Sequence, residues 1–242
     1  EILQRLPDAD LVVRELDLAS LASVRAFAEG FREAYPRLDL LINNAGIMVP
    51  PPARSEDGFE IQMAANYFGH VLLTALLIEH MPDSPQSRVV SLASIAHKNG
   101  RIRLDALASA GDYRQSKLAC LMFAFELDRR LRRAGRKILS VAAHPGVSLT
   151  PLVRHMNPVL IALLRCTVAP LLFHSPARGA EATLLAALGA QVEGGQYFGP
   201  QGLMEMRGRP GLARIAPQAR DETMARRLWE ASEALTGATF AL

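Results

Sequence analysis

Three short apolar runs, near residues 38–43, 88–92 and 138–143, alternate with longer stretches of helical apolar spacing, and that alternation leaves few folds open. A strand buried on both faces reads as a continuous apolar run, and an intervening helix returns the chain for parallel pairing. The pattern predicts an α/β fold, a doubly wound parallel sheet with helices on both faces. Strands are expected over 10–16, 38–43, 88–92 and 138–143, with a short one near 196–198. Helices are expected over 18–34, 58–81, 111–134 and 221–235, and in two or more pieces over 149–188. Ser20 has the chemistry of an N-cap for the first helix, and Gly135 that of a stop after 111–134. No repeat, low-complexity tract or linker interrupts the pattern, so residues 1–242 are expected to belong to one domain.

Parallel sheets of this kind bind ligands at the carboxyl ends of their strands. Asp17, Asn43–Gly46, Ser94 and His144–Gly146 all follow expected strand ends and therefore converge on one rim. Tyr113 and Lys117 lie four residues apart in a helical segment and so share a face. An ammonium beside a phenol favours the phenolate, which lets a tyrosine exchange protons near neutral pH. The spacing alone more often marks a pair of surface residues. Asn66 is polar inside an apolar helical segment, where Asn is disfavoured, and reads either as solvent-facing or as functional. Asn43–Gly46 and Pro145-Gly146 also read as plain turns, and Asp17 as a helix cap. A Ser94 nucleophile with His97 as its base is the rival chemistry, but no Gly-x-Ser-x-Gly elbow accompanies it. His70, His97 and His144 lack metal-ligand spacing.

Composition narrows the classes further. With 21% charged residues, half hydrophobic and a net charge of +3, the 242-residue chain suits a folded globular protein. The arginine run over 129–133, with Arg136 and Lys137, reads as a solvated helix C-terminus complementing the dipole. It has no interleaved aromatics to stack bases, so no nucleic-acid partner is expected. Cys120 and Cys166 read as buried thiols in a reducing, cytoplasmic compartment. Residues 158–173 are apolar but too short to span a bilayer and are interrupted by Arg165, so no transmembrane segment is expected. A flap over an apolar pocket is the expected role of that stretch.

The order Asn43-Asn44-Ala45-Gly46, Asn66, Ser94, Tyr113/Lys117, Pro145-Gly146 resembles the short-chain dehydrogenases/reductases, over essentially the whole chain. The resemblance extends to the retinol-dehydrogenase-like branch, through Gly194-Gly195-Gln196-Tyr197-Phe198-Gly199-Pro200 and Leu228-Trp229 with Leu235-Thr236-Gly237. It implies a Rossmann-like fold and an NAD(P)-dependent oxidoreductase interconverting an apolar alcohol and its aldehyde or ketone. It also implies catalytic roles for Asn66, Ser94, Tyr113 and Lys117. By the same resemblance, Asp17 and Leu18 receive adenine, and Asn44, Ala45 and Gly46 border the adenosine ribose. Tyr113 and Lys117 would meet the nicotinamide ribose, and Pro145, Val147 and Thr150 the carboxamide. NADP is the expected cofactor, with NAD as the alternative. A small apolar alcohol or carbonyl is the expected partner, and the helices over 58–81 and 111–134 are expected faces for a homo-oligomer.

The resemblance breaks before Asp17. No Gly-x-x-x-Gly-x-Gly precedes it to cradle the pyrophosphate, and the position that selects NADP over NAD is missing too. The expectation is a chain lacking the first strand–helix–strand of the family domain, poorly stable and weak in cofactor binding. The alternative expectation is a non-catalytic remnant or interaction protein.

Overall fold

The apolar runs form the strands β1 (Leu40–Asn43), β2 (Arg88–Leu92) and β3 (Leu139–Ala143). They stand in a computed structural model that describes residues 2–147 and 175–242. Two further strands, β4 (Tyr197–Pro200) and β5 (Pro210–Leu212), complete a sheet in the order β1-β2-β3-β4-β5. The first four are parallel, with Leu40 opposite Arg88 and Arg88 opposite Leu139, while β5 returns antiparallel to β4. β5 is absent from the sequence expectation because its three residues, Pro210-Gly211-Leu212, are poor strand formers.

Among the described residues, five helices cover the sheet: α1 (Leu21–Ala34), α2 (Ile61–His80), α3 (Tyr113–Arg133), α4 (Pro176–Leu188) and α5 (Glu222–Thr236). Ser20 caps α1 by accepting from the Ser23 N–H, as expected, although the helix begins three residues later than its apolar pattern. Gly135 follows α3 at φ +70°, the left-handed conformation a helix stop requires. Strand residues alternate between the faces. Val89, Ala93 and Ala142 join α1, α2, α3 and α5 in the larger core, while Val90, Leu92, Val141 and Ala143 pack with Ala186, Ala187 and Phe198 on the α4 side. Arg88 ties the α4 side to the sheet, donating to the carbonyls of Ala186 (2.9 Å) and Gly189 (2.8 Å) at the C-terminal end of α4.

Residues 10–16 do not form the expected strand. Val13 is 96% exposed, and Leu11 and Val12 are exposed too. A strand exists only through a neighbour that takes its N–H and C=O groups, and none of the described strands runs beside this segment. It lies instead along α1, with Arg14 Nη1 donating to Gly30 O at 2.8 Å and its guanidinium 5.3 Å from the Tyr35 ring.

α2 is long and apolar enough to cross a bilayer, yet 83% of its apolar window is buried inside the protein. α5 closes over α2 and α3: Tyr67 bonds Ser232 at 2.9 Å, Trp229 stacks on Phe123 at 5.4 Å, and Phe240 lies 4.2 Å from Trp229. The parts of α2 and α3 that meet α5 are thereby closed to a second copy. The arginine run is in part the expected solvated terminus, with Arg132, Arg133 and Lys137 exposed. It also reaches inward: Arg129 and Arg130 pair with Glu126, which is fully buried, and Arg132 pairs with the buried Asp128. A buried carboxylate persists only when paired, so these arginines also neutralise the inner face of α3. Residues 158–173, the expected flap, and Cys166 fall outside the described residues.

Candidate active site

The site forms where β1 and β2 end against the first turns of α3 and the distorted middle of α2. Residues Ala64–Phe68 are wound as a π-helix, with the Gly69 N–H bonded to Ala64 O five residues back. Such bulges gather at functional positions because they re-aim side chains out of the regular helical stagger. Here Asn66, at the centre of the bulge, is fully buried, which removes its solvent-facing reading. Its Oδ1 accepts from Ile47 N at 2.7 Å, and its Nδ2 donates to Ile47 O at 2.9 Å and to Ser116 Oγ at 3.0 Å. Ser116 in turn donates to Tyr113 O at 2.9 Å. Asn66 thereby joins the loop after β1 to the turn that carries Tyr113. Ser116 is a member of this network that the sequence reading omitted, and its place three residues after Tyr113 was the available signal.

Asp112 caps α3 by accepting from Gln115 N at 2.8 Å, so Tyr113 opens the helix and Lys117 sits one turn inside it. Lys117 is 5% exposed. Its Nζ donates to Leu92 O at 2.8 Å and lies 5.8 Å from the centre of the Tyr113 ring. Leu92 ends β2, and Ser94 follows two residues later. Ser94 caps the tight turn Ile95–Asn99, its Oγ accepting from Ala96 N at 3.2 Å. That turn runs against the start of α3, where a Cβ on Gly100 would stand 2.5 Å from Arg114 O. Ser94, Tyr113, Lys117 and Asn66 are therefore held within one neighbourhood by side-chain bonds to backbone carbonyls and by the close packing at Gly100.

The rival serine chemistry finds no base. His97 is fully buried, with Nδ1 bonded to Ser94 O at 2.7 Å and Nε2 accepting from Ala216 N at 3.3 Å. Both ring nitrogens serve the backbone, and burial holds the imidazole below its ordinary range against the pull of the Ser94 carbonyl. His144 steers its own turn, accepting from Gly146 N at 3.2 Å, and Gly146 adopts φ +71°. A Cβ on Gly199 of β4 would fall 1.9 Å from His144 Nε2, so only glycine lets that ring sit where it does.

The cofactor half of the expectation divides. Gly46 faces the centre directly, since a Cβ there would lie 3.1 Å from Asn66 Oδ1 and 3.4 Å from Lys117 Nζ. Glycine there leaves the Asn66 amide and the Lys117 ammonium unobstructed by a side chain. Asn44 and Ala45 are exposed at the end of β1, open to a ligand on the rim. Asp17 closes a turn before α1, accepting from Ala19 N at 2.9 Å, and Leu18 O packs against Gly69 of α2. Pro145 and Val147 follow the end of β3, and the Val147 N–H donates to Met206 O at 2.8 Å. Thr150 lies outside the described residues, and no glycine-rich phosphate turn occurs among those described.

His70, one turn after Asn66, is buried with Nδ1 at 3.0 Å from Asn66 O. Burial pushes its pKa down to about 4, and the Lys117 charge adds to this against the opposing Asn66 carbonyl. The unfolded chain takes up this proton near pH 6.5 and the native chain only near 4, so stability falls as pH drops through that window and levels off below it. The loss from pH 7 to pH 4 should be about 3 kcal/mol. In urea unfolding at the two pH values, His70→Gln should show a correspondingly smaller loss; an equal loss in both proteins would remove the linkage.

Residues 1–159 match the family described as short chain dehydrogenase, a span that contains Asn66, Ser94, Tyr113 and Lys117. Human retinol dehydrogenase 14 is 42% identical over 237 residues, which is 94% of this chain and 67% of that protein. The crystal structure of an uncharacterised protein from Mycobacterium paratuberculosis is 39% identical, with a TM-score of 0.79 over 98% of this chain and 80% of the other. A blue fluorescent protein from a metagenomic library, solved in complex with NADPH, is 26% identical, with a TM-score of 0.54 over 75% of this chain and 71% of that one. The doubly wound sheet, the polar centre at its carboxyl rim and these likenesses agree, and the chain belongs to the short-chain dehydrogenases, oxidoreductases that act on CH–OH groups with a nicotinamide cofactor.

Proposed function

We propose that this enzyme interconverts an apolar alcohol and its aldehyde or ketone, with Tyr113 as general acid in reduction and general base in oxidation. One observation carries the reading. The buried Lys117 ammonium stands beside the Tyr113 ring, bonded to the end of β2 just before Ser94, with the bare backbone of Gly46 facing it. The nicotinamide, when bound, supplies or accepts the hydride. The Tyr113 hydroxyl gives its proton to the substrate oxygen on reduction and takes it back on oxidation. Ser94 Oγ donates to the same oxygen and fixes it against the tyrosine. Lys117 binds the ribose hydroxyls, and Asn66 supports the proton's return to solvent while anchoring the turn that carries Tyr113.

Asp17 and Leu18 hold adenine in this reading, Asn44, Ala45 and Gly46 the adenosine ribose, and Pro145 and the Val147 carbonyl the carboxamide. The coenzyme is NADP, a reading supported by the NADPH-bound relative. An apolar substrate is supported by the relative named retinol dehydrogenase 14 and by the exposed Leu203 and Met204, on the loop that bonds the Val147 turn. The test is the full-length enzyme with each coenzyme against a panel of aldehydes, ketones and retinoids. NADPH should exceed NADH in kcat/KM by about tenfold, equivalent to about 1.4 kcal/mol, and lipophilic carbonyls should exceed short polar ones. Turnover confined to small polar substrates would refute the substrate class, and a preference for NADH would refute the coenzyme.

A further inference from the structure

Ser94 lies in a turn that the sheet holds at one end only. Its hydroxyl caps Ile95–Asn99, and the position of that turn fixes where the hydroxyl points. The far side of the turn is gripped from the C-terminal part of the chain. Gln218 Nε2 donates to Lys98 O at 2.8 Å and to His97 O at 3.2 Å, and the Ala216 N–H reaches His97. The one charged grip among the described residues is Lys98 Nζ on Glu205 Oε2.

Glu205 is an unusual residue to find there. It is 6% exposed, in the loop between β4 and β5, and its other oxygen accepts from Arg214 N at 2.6 Å. It stands at φ +59° and Met204 before it at φ +50°, two successive non-glycine residues in the left-handed region. Strain of this kind persists where the surroundings over-determine it, and it gathers at functional sites. The next residue, Met206, accepts from Val147 N. Two consecutive residues of one strained loop therefore reach the Ser94 turn and the 144–147 turn together.

We propose that Glu205 is a positioning residue for Ser94: by binding Lys98 it sets the turn that aims the Ser94 hydroxyl at the substrate oxygen. The inference rests on the reading of Ser94 given above. Glu205 touches neither substrate nor cofactor and acts only through Lys98. Loosening the turn by about 1 Å is enough to cost on the order of 10²-fold in rate.

The experiment is steady-state kinetics on the full-length enzyme carrying Glu205→Gln, Lys98→Met, Ser94→Ala and the Ser94→Ala/Glu205→Gln pair. Glu205→Gln should lower kcat for carbonyl reduction by roughly 10- to 100-fold, with the coenzyme KM changed less than about twofold. Lys98→Met should do the same, and it serves alone if the buried variant does not fold. In the Ser94→Ala background, Glu205→Gln should cost almost nothing more, because the group it aims is gone. Wild-type kcat in Glu205→Gln or Lys98→Met beside a crippled Ser94→Ala overturns the positioning role alone. So does an undiminished Glu205→Gln effect in the Ser94→Ala background. Wild-type kcat in Ser94→Ala removes the Ser94 reading, and this inference with it.

Discussion

Tyr113→Phe is expected to lower kcat by on the order of 10³-fold, about 4 kcal/mol of transition-state stabilisation, while leaving the fold and coenzyme affinity almost unchanged. The substitution removes one oxygen and keeps the ring. The ring opens α3 half-buried, with Asp112 supplying the cap and Ser116 the bond to its carbonyl, and phenylalanine keeps all of these. Lys117→Met should differ in kind. It removes the bond to Leu92 O and the positive charge facing Gly46, so kcat should fall and the coenzyme KM should rise together. The measurement is kcat and KM for both variants, beside their thermal unfolding. A loss below about tenfold in Tyr113→Phe would mean that another group moves the proton.

The second large effect concerns one hydrogen atom. Gly69→Ala should destabilise the protein by about 2 kcal/mol, lowering Tm by roughly 4–8 °C. A Cβ there would stand 2.2 Å from Leu18 O, a backbone atom that cannot rotate away. Either α2 or the segment Asp17–Leu18 must shift, and the latter is the proposed adenine contact, so coenzyme affinity should weaken too. Gly30→Ala, in the interior of α1, provides the contrast. Its Cβ would meet only the flexible end of Arg14 at 3.2 Å, and alanine is the better helix former. That variant should be neutral or more stable by up to about 1 kcal/mol. Shifts of the same sign in both variants, read by differential scanning calorimetry, would defeat the packing account.

These two glycines also show where sequence reading stops. Gly69 has φ −59°, ordinary for a helix, and what requires a glycine there is the approach of Leu18 O. That approach joins residues far apart in the chain, and no local pattern encodes it. The helix distortion centres on Asn66. The segment 10–16 carried the residues of a strand and has no strand partner among the described residues. Glu205 and Lys98 gave no signal, because an isolated acid and an isolated base carry no spacing to read.

What the sequence determined by itself was whatever depends on local periodicity and chemistry. Short continuous apolar runs between helical stretches suit strands of a parallel sheet, so β1, β2 and β3 and the rim at their ends were legible, although Ile42 leaves one face of β1 exposed. Ser20 and Gly135 marked helix ends because capping is a local hydrogen-bonding problem. The Tyr113/Lys117 spacing named a shared helix face, for the helical pitch alone requires it. Tertiary structure decided which polar side chains on those faces lose water and which partners replace it. Asn66 went inside to bind Ile47 and Ser116, Lys117 to bind Leu92, and both histidine nitrogens of His97 to the backbone. The physical reason is that burial makes an unpaired polar group costly, so each buried group takes its partner from whatever the packed chain brings within reach, at any distance in sequence.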